Sequence, residues 1–470
     1  MSDQYYFKED AKVAWRYMIT GRLVLTSPTS LSNGDADGLT DISIRRDLVT
    51  NKPVLPGTSL AGALRDYLCQ RLPERGNQGW NQMRVNELFG ENNQAERYSL
   101  QSRLFIEDAE GNEQGIELRD GVAIDNATRT AEDKKKFDVE LLAAGTTFDL
   151  RIELWELIGS VQQRQLLFHA LEGLQNGEIM LGGRKRRGYG ACQVEDWQVH
   201  RYDMSDKNDI LRWLEKDETH PRPGGTLVEM LDISGQPGLL TADTCHLSAT
   251  FDIVTSLLIR ATSANSKDPD MVHLRNAAGQ SIVSGTSLAG ALRAQASRIL
   301  RTLRTDAETK TFIDNLFGRE MDDRHKVKPH ASRLWVREAE IEPAIADRVQ
   351  SRVKIDRFTG GSYPAALFDQ LPVFGGRVTL DLTVQSPSDA DVGLLLLLLK
   401  DLWTGDLPLG GEASVGRGRL SGQRAELNWR GETWVIQAGT SGLQVDGDPD
   451  KLEKTVQALW TNPIVEVKDE

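Results

Sequence analysis

Nine residues of this chain occur twice, letter for letter, and no other feature constrains its fold as strongly. Gly57-Thr58-Ser59-Leu60-Ala61-Gly62-Ala63-Leu64-Arg65 returns as Gly285-Thr286-Ser287-Leu288-Ala289-Gly290-Ala291-Leu292-Arg293, 228 positions later. An identity of that length implies a duplicated structural unit rather than chance. The same offset relates Leu88-Phe89-Gly90 to Leu316-Phe317-Gly318, Gly182-Gly183 to Gly410-Gly411, and Gly188-x-Gly190 to Gly416-x-Gly418. Ile124-Asp125-x-x-Thr128 answers Ile355-Asp356-x-x-Thr359 after a small insertion. The chain therefore reads as two homologous domains, 1–202 and 245–422, joined by a charged, Pro/Gly-rich linker (203–244) and followed by an extension (423–470).

A length of 470 residues exceeds what a single core supports, which agrees with the duplication. The three cysteines (Cys69, Cys192, Cys245) form neither a disulfide framework nor a metal-ligand spacing. The polar start, Met1 to Lys8, is unlike a signal peptide, and the run Leu394 to Leu399 is too short to span a bilayer. These features predict a protein of the reducing cytoplasm with no membrane partner. A net charge of −13 argues against indiscriminate nucleic-acid binding but leaves room for a local cationic groove.

Along the first repeat, residues 12–27 read as a strand and Ser27 to Thr40 as a polar loop. Asp41-Ile42-Ser43-Ile44-Arg45-Arg46-Asp47 alternates like a half-buried strand or an extended arm. Lys52 to Gly57 forms a short strand and turn, after which Thr58 or Ser59 is expected to cap a helix with Leu60, Leu64 and Leu68 on one face. A strand at Ser102 to Glu107 precedes a hairpin over 121–154 whose charged tip is Arg129 to Lys136. An amphipathic helix (Ser160 to Leu174) and a Gly-rich loop into a closing strand (Gly177 to Trp197) complete the unit. Strand, helix, strands, helix, strand suits a ferredoxin-like α+β domain. The second repeat runs in the same order from Cys245, with Gly360 to Asp369 as the counterpart of the hairpin tip. The extension adds two strands around Trp429 and Trp434 and a helix from Asp450 to Trp460.

Three groups of residues carry candidate chemistry. A Gly-Thr-Ser helix start offers backbone N–H groups and hydroxyls to an anion, although a plain helix cap needs no more than this. Ser59 and Ser287 do not form a nucleophile elbow, since the second glycine falls one position too late. Gly182-Gly183-Arg184-Lys185-Arg186-Arg187-Gly188-Tyr189-Gly190 combines flexible backbone, four consecutive cations and an aromatic ring, suited to phosphates and a stacked base or simply a solvated loop. Its repeat, Gly410 to Gly418, keeps the glycines but loses most cations. Asp41 lies six residues before Asp47, and Asp270 six before the matching Asn276. Each presents a carboxylate able to act as a base, to help hold a divalent ion, or merely to cap a loop. Asp35, Asp37 and Asp268 compete for that role. His273 has no histidine counterpart in the first repeat, which argues against a shared His-dependent mechanism.

The ordered set Asp41…Asp47…Pro56-Gly57-Thr58-Ser59-Leu60-x-Gly62-x-Leu64-Arg65, Leu88-Phe89-Gly90, Ala144-Gly145-Thr146-Thr147-Phe148-Asp149 and Gly182-Gly183…Gly188-Tyr189-Gly190 resembles the RAMP superfamily. Specifically, it looks like the tandem form of the backbone subunit of type III CRISPR effector complexes. The resemblance implies two ferredoxin-like (RRM-like) domains with inserted hairpin arms, stacked on a guide RNA (crRNA) beside other effector subunits. It implies target RNA cleavage assisted by Mg2+ or another divalent cation, at Asp41 and, through the repeat, Asp270. RNA contacts would fall on Gly57, Thr58 and Ser59; on Gly285, Thr286 and Ser287; and on Arg45 and Arg46. Gly182, Gly183, Arg184, Lys185, Arg186, Arg187 and Tyr189 would join them, as would Gly410, Gly411 and Arg417. Ala61 and Ala289 stand where the family usually has lysine, Ser284 replaces proline, and Glu412 enters the second glycine loop. A non-catalytic RNA-binding scaffold of the same fold is the rival reading, and a guide-processing endonuclease a third.

Overall fold

The computed structural model describes residues 12–32, 40–71, 78–93, 98–124, 131–158, 161–219, 221–222, 225–233, 242–261, 269–319, 329–439 and 442–461. Asp35, Asp37, Asp268 and the arm-tip residues Arg129 and Thr130 lie outside them.

Each repeat builds an antiparallel sheet whose strands alternate in burial. In Thr147–Leu157, Phe148, Leu150, Ile152 and Leu154 face inward; in Thr244–Ile253, Cys245, Leu247, Ala249, Phe251 and Ile253 do so. A period of two puts those side chains on one sheet face, where the helices cover them. The first sheet runs Cys192–Asp203, Val13–Leu25, Thr147–Leu157, with Leu104–Ile106 and Ala109–Asn112 both pairing the last of these and Val54–Leu55 at the edge. This order suits a β-α-β-β-α-β unit, whose helices here are Gly57–Arg71 and Val161–Gln175. The second sheet repeats it with Leu420–Trp429, Thr244–Ile253, Arg377–Gln385, Leu334–Val336, Ala339–Glu342 and Ile282–Val283.

The extension enlarges the second sheet. Glu432–Gly439 and Gly442–Asp446 add two strands beyond Leu420–Trp429, and the helix Pro449–Thr461 lies against Asp389–Trp403. Gly393, just before the leucine run, lets the helices touch: a Cβ there would stand 2.1 Å from the Thr455 carbonyl oxygen.

Segment 203–244 is more than a linker. Its helices Lys207–Leu214 and Leu227–Met230 dock on the first domain, and Leu227, Met230, Leu231 and Ile233 join that domain's core. Arg16 lies 3.9 Å from the Trp213 ring centroid and 4.3 Å from that of Trp155, while the Arg164 guanidinium donates to the Leu231 and Asp232 carbonyls. The Pro/Gly content concealed this docking because the apolar anchors are few and short.

Both inserted hairpins are present, as Ile116–Ile124 with Ala131–Leu142 and as Gln350–Ile355 with Ser362–Leu371. Residues 131–136 belong to the returning strand rather than the tip. In the second arm the turn lies at Asp356, whose carboxylate accepts from the N–H groups of Phe358 and Thr359, so most of 360–369 is strand.

The domains meet in a close joint. Arg119, on the first arm, is only 4% exposed and sits between Glu117 and Glu338 of the second domain. Glu117 also accepts from the Ala277 N–H at 2.8 Å. A Cβ on Gly285 would lie 2.3 Å from the Arg187 carbonyl oxygen, and one on Gly188 would lie 2.8 Å from the Glu338 nitrogen. At these two positions only glycine lets the backbones approach so closely.

Candidate nucleic-acid interface

The first repeat gathers many of the expected RNA-binding residues around one cleft of 380 Å³. Arg45, Thr58, Ser59, Gly182, Gly183 and Lys185 line it together with Ser30, Ser32 and Met180. The helix Gly57–Arg71 starts there because Pro56 and Gly57 form a turn, and the Gly57 N–H is held by Asp108 Oδ1 at 2.7 Å. Thr58 and Ser59 are not the cap: they lie inside the helix, exposed toward the cleft. Gly182 adopts φ 77° and runs against Ser30, whose carbonyl accepts from the Gly183 N–H at 2.9 Å. Two cations, four hydroxyl-bearing residues and a helix N-terminus line one small space, an arrangement that suits a phosphate.

Not every expected contact faces this cleft. Tyr189 is 3% exposed and packed with Val139 and Leu141, so its ring is not offered to a base. Arg184 lies 4.2 Å from the Phe137 ring centroid, and Arg186 is drawn into the joint, 5.9 Å from the Trp335 centroid; burial lowers the pKa of both. The Arg46 guanidinium bonds Glu113 at 2.7 Å and the Asn51 carbonyl at 2.8 Å. Arg187 is exposed, with its carbonyl against Gly285.

The second repeat has the same backbone and a different lining. The Arg45 N–H donates to Leu31 as the Leu274 N–H donates to Ile259, so Leu274 replaces the Arg45 cation. The glycine loops correspond at the 228-residue offset, with Arg184 (φ 55°) and Glu412 (φ 62°) both left-handed, which matches Ala413 to Lys185 and Arg417 to Tyr189. Arg417 is 2% exposed and bonded to Glu412, Ser256, Gln350 and Gln370. Its guanidinium is consumed inside the domain, which corrects its assignment as an RNA contact. Ser284 caps the helix by accepting from the Ser287 N–H, and its hydroxyl bonds those of Thr286 and Ser287. Gly410 and Gly411 keep the loop in place, with the Gly411 N–H on the Leu258 carbonyl at 2.8 Å.

Asp41 and Asp270 occupy matching positions. Asp41 Oδ2 accepts from the Asp138 N–H at 2.9 Å, and Asp270 Oδ2 from the Asp369 N–H at 3.0 Å. Each carboxylate stands where the loop meets the returning strand of the arm, beside a parallel pairing of Ile42 with Val139 or Met271 with Gln370. In the first repeat Asp120 lies across from Asp138; in the second Ser351 takes that place. A hydrogen bond from Asp120, followed by burial and the charges of Asp120 and Asp41, raises the pKa of Asp138. Sequence inspection missed Asp138, although its counterpart Asp369 repeats it. Among the described residues no group of three or more His, Cys, Asp and Glu side chains is placed to hold a metal.

His273 is structural. Its Nδ1 accepts from the Ile259 N–H, its Nε2 bonds the Ile282 carbonyl, and burial pushes its pKa down to about 4. It stays neutral at physiological pH and has no role as a proton carrier.

A family profile of the RAMP superfamily matches residues 22–193 and again residues 250–421. The chain belongs to the RAMP superfamily. Its two RAMP domains coincide with the two sheets described above, and membership supports a CRISPR-associated, RNA-binding role. No curated protein matches the chain. Among the described residues no helix is long and apolar enough to cross a membrane.

Proposed function

We propose that this RAMP protein is a backbone subunit of a type III CRISPR effector, binding guide RNA in its first-repeat cleft and cutting the paired target RNA. The observation that carries the reading is the repeated placement of Asp41 and Asp270, each at the junction of loop and arm with one carboxylate oxygen tied to the arm backbone. The other oxygen is left to face RNA. The reaction is attack of a target 2'-oxygen on the adjacent phosphorus, giving a cyclic phosphate and releasing the 5'-oxygen, which takes a proton. The arm holds the unstacked nucleotide so that attacking and leaving oxygens are in line, and this positioning supplies most of the rate. Asp41 or Asp270 accepts the proton of the 2'-hydroxyl.

A divalent ion is part of the proposal, as charge neutralisation for the phosphate. Asp41 with Asp138 would hold it in the first repeat, and Asp270 with Asp369 in the second, two carboxylates in each case. Mg2+ commonly takes only one or two protein carboxylates and completes its shell with phosphate oxygens and water, so this donor set fits an RNA-completed site and not a closed protein cage.

The rival reading is a scaffold that binds RNA without cutting it. It is favoured by the same hydrogen bonds, which make each aspartate a competent loop cap. Reconstituted complex with Mg2+ and target RNA separates the two, using wild type, Asp41→Ala, Asp270→Ala and the double variant. Loss of one product band per single change supports two cutting sites. Persistence of every band in the double variant sinks the catalytic reading.

A further inference from the structure

Arg417 and Tyr189 correspond at the 228-residue offset, and the exchange of a ring for a guanidinium changes how the arm is held. In the first repeat Tyr189 packs on Val139 and Leu141 of the returning strand, and Arg119 on the outgoing strand is paired with Glu117 and Glu338. In the second repeat the facing residues Gln350 and Gln370 take the places of Arg119 and Val139. Arg417 Nη2 donates to Gln350 Oε1 at 2.7 Å and to Gln370 Oε1 at 2.9 Å, so one guanidinium grips both strands of the arm at its base. Its Nη1 and Nε anchor the grip, on Ser256 Oγ at 3.1 Å and Glu412 Oε2 at 2.8 Å. Glu412 also accepts from Gln370 Nε2 and pairs with Arg352 of the outgoing strand at 3.3 Å.

This network lies beside a candidate carboxylate. Gln370 follows Asp369, whose N–H holds Asp270 Oδ2, and Gln370 itself pairs with Met271, the neighbour of Asp270. Asp270 is exposed, so the direction of its carboxylate follows the arm backbone it bonds. Buried ion pairs add little stability over an apolar filling of the same space, such as the one around Tyr189. What a forked guanidinium adds is a fixed distance and angle.

We infer that Arg417 is a positioning residue: by tying both arm strands to the glycine loop, it sets where Asp270 presents its carboxylate to RNA. The inference rests on the proposed role of Asp270, but the tie itself is measurable without RNA.

Hydrogen exchange at the Asp369 amide reads how often the arm lets go of Asp270. RNA-free, full-length wild type is compared with three variants. Arg417→Met removes the grip, and Gln350→Leu cuts the arm's side of it while sparing the loop. Leu394→Ala is a destabilised control, a core change in the helix Asp389–Trp403 of the same domain. Asp369 exchange should quicken about tenfold or more in the first two, as for the loss of a hydrogen bond to a charged group. It should keep the wild-type rate in Leu394→Ala, and the Asp138 amide of the first repeat should hold its rate in all three. In the reconstituted complex with Mg2+ and saturating target RNA, Arg417→Met and Gln350→Leu should slow the Asp270-dependent product by a similar factor. Target affinity and the Asp41-dependent product should not change. An Asp369 amide indifferent to both changes, or one that quickens as much in Leu394→Ala, would overturn the inference, as would an Asp270-dependent product made at full rate by Arg417→Met. If wild type yields no Asp270-dependent product, the cutting proposal fails, while the exchange rates still decide whether Arg417 holds the carboxylate.

Discussion

Glu338 makes the domain joint sensitive to pH, and the effect can be worked from the structure. Its burial, with the charge of Glu117 adding to it and Arg119 opposing it, raises its pKa from 4.5 to about 7. Below the lower value the carboxyl is protonated whether the joint is open or closed; above the upper value it is ionised in both. Between them the closed joint binds more protons than the open one, so its stability falls as pH rises. At about 1.4 kcal/mol per pKa unit, a rise from 4.5 to about 7 predicts a loss of about 3 kcal/mol across that window. Glu338→Gln keeps the shape and removes the titration. Native-state hydrogen exchange at the Ala277 amide, corrected for intrinsic exchange, reads the opening free energy because that N–H bonds Glu117 within the joint. The wild-type value should drop between pH 5 and 8 while the variant's stays nearly level. Parallel profiles for the two proteins would show that Glu338 does not titrate in the joint and would refute the argument.

Other consequences are open to simpler measurements. Gly285→Ala drives a Cβ to 2.3 Å from the Arg187 carbonyl oxygen, and overpacking of this kind should cost about 1–3 kcal/mol in denaturant titrations. Gly290→Ala, with nothing within 4 Å, should instead stabilise the helix by about 0.5–1 kcal/mol. Lys185→Gln should weaken binding of single-stranded RNA evenly across sequences and reduce the salt slope by about 0.7, whereas Arg417→Met should leave that slope unchanged and lower the unfolding midpoint. Burial pushes the Cys192 and Cys245 thiols up to about 12, so a thiol reagent at neutral pH should modify Cys69 well before either of them, and all three should react in denaturant.

The duplication, the fold class and the pairing of Asp41 with Asp270 were legible in the sequence because each depends on spacing. Alternation marks a strand at Thr146–Leu154 but not its place: Thr147–Leu157 is a strand of the main sheet, and the arm returns on Ala131–Leu142, not on it. The identical helix starts set the register of everything near them. Burial of individual polar residues was not legible. Tyr189 and Arg417 look like surface contacts in a glycine loop, yet the left-handed residue at Arg184 or Glu412 helps turn the following chain inward. The fate of that next aromatic or cation depends on partners about 50 to 160 positions away, such as Val139, Gln350 and Ser256. The same holds for Arg46 and Arg186, whose charges are absorbed by Glu113 and by a tryptophan of the other domain. The docked segment 203–233 escaped notice because its few apolar anchors lie among charges and turn formers.

The close approach at Gly188 and Gly285 also has a metric meaning. Backbone touches backbone there, and the described part of the chain between the domains, as far as Ile233, is pinned along the first of them. The interval between the Asp41 and Asp270 junctions is thus set by a solid contact instead of a tether. On the proposed reading, a strand of RNA seated at one junction would arrive at the other in a fixed phase, as along the notches of a one-piece gauge. Any change that loosens the joint should blur that phase before it weakens the grip.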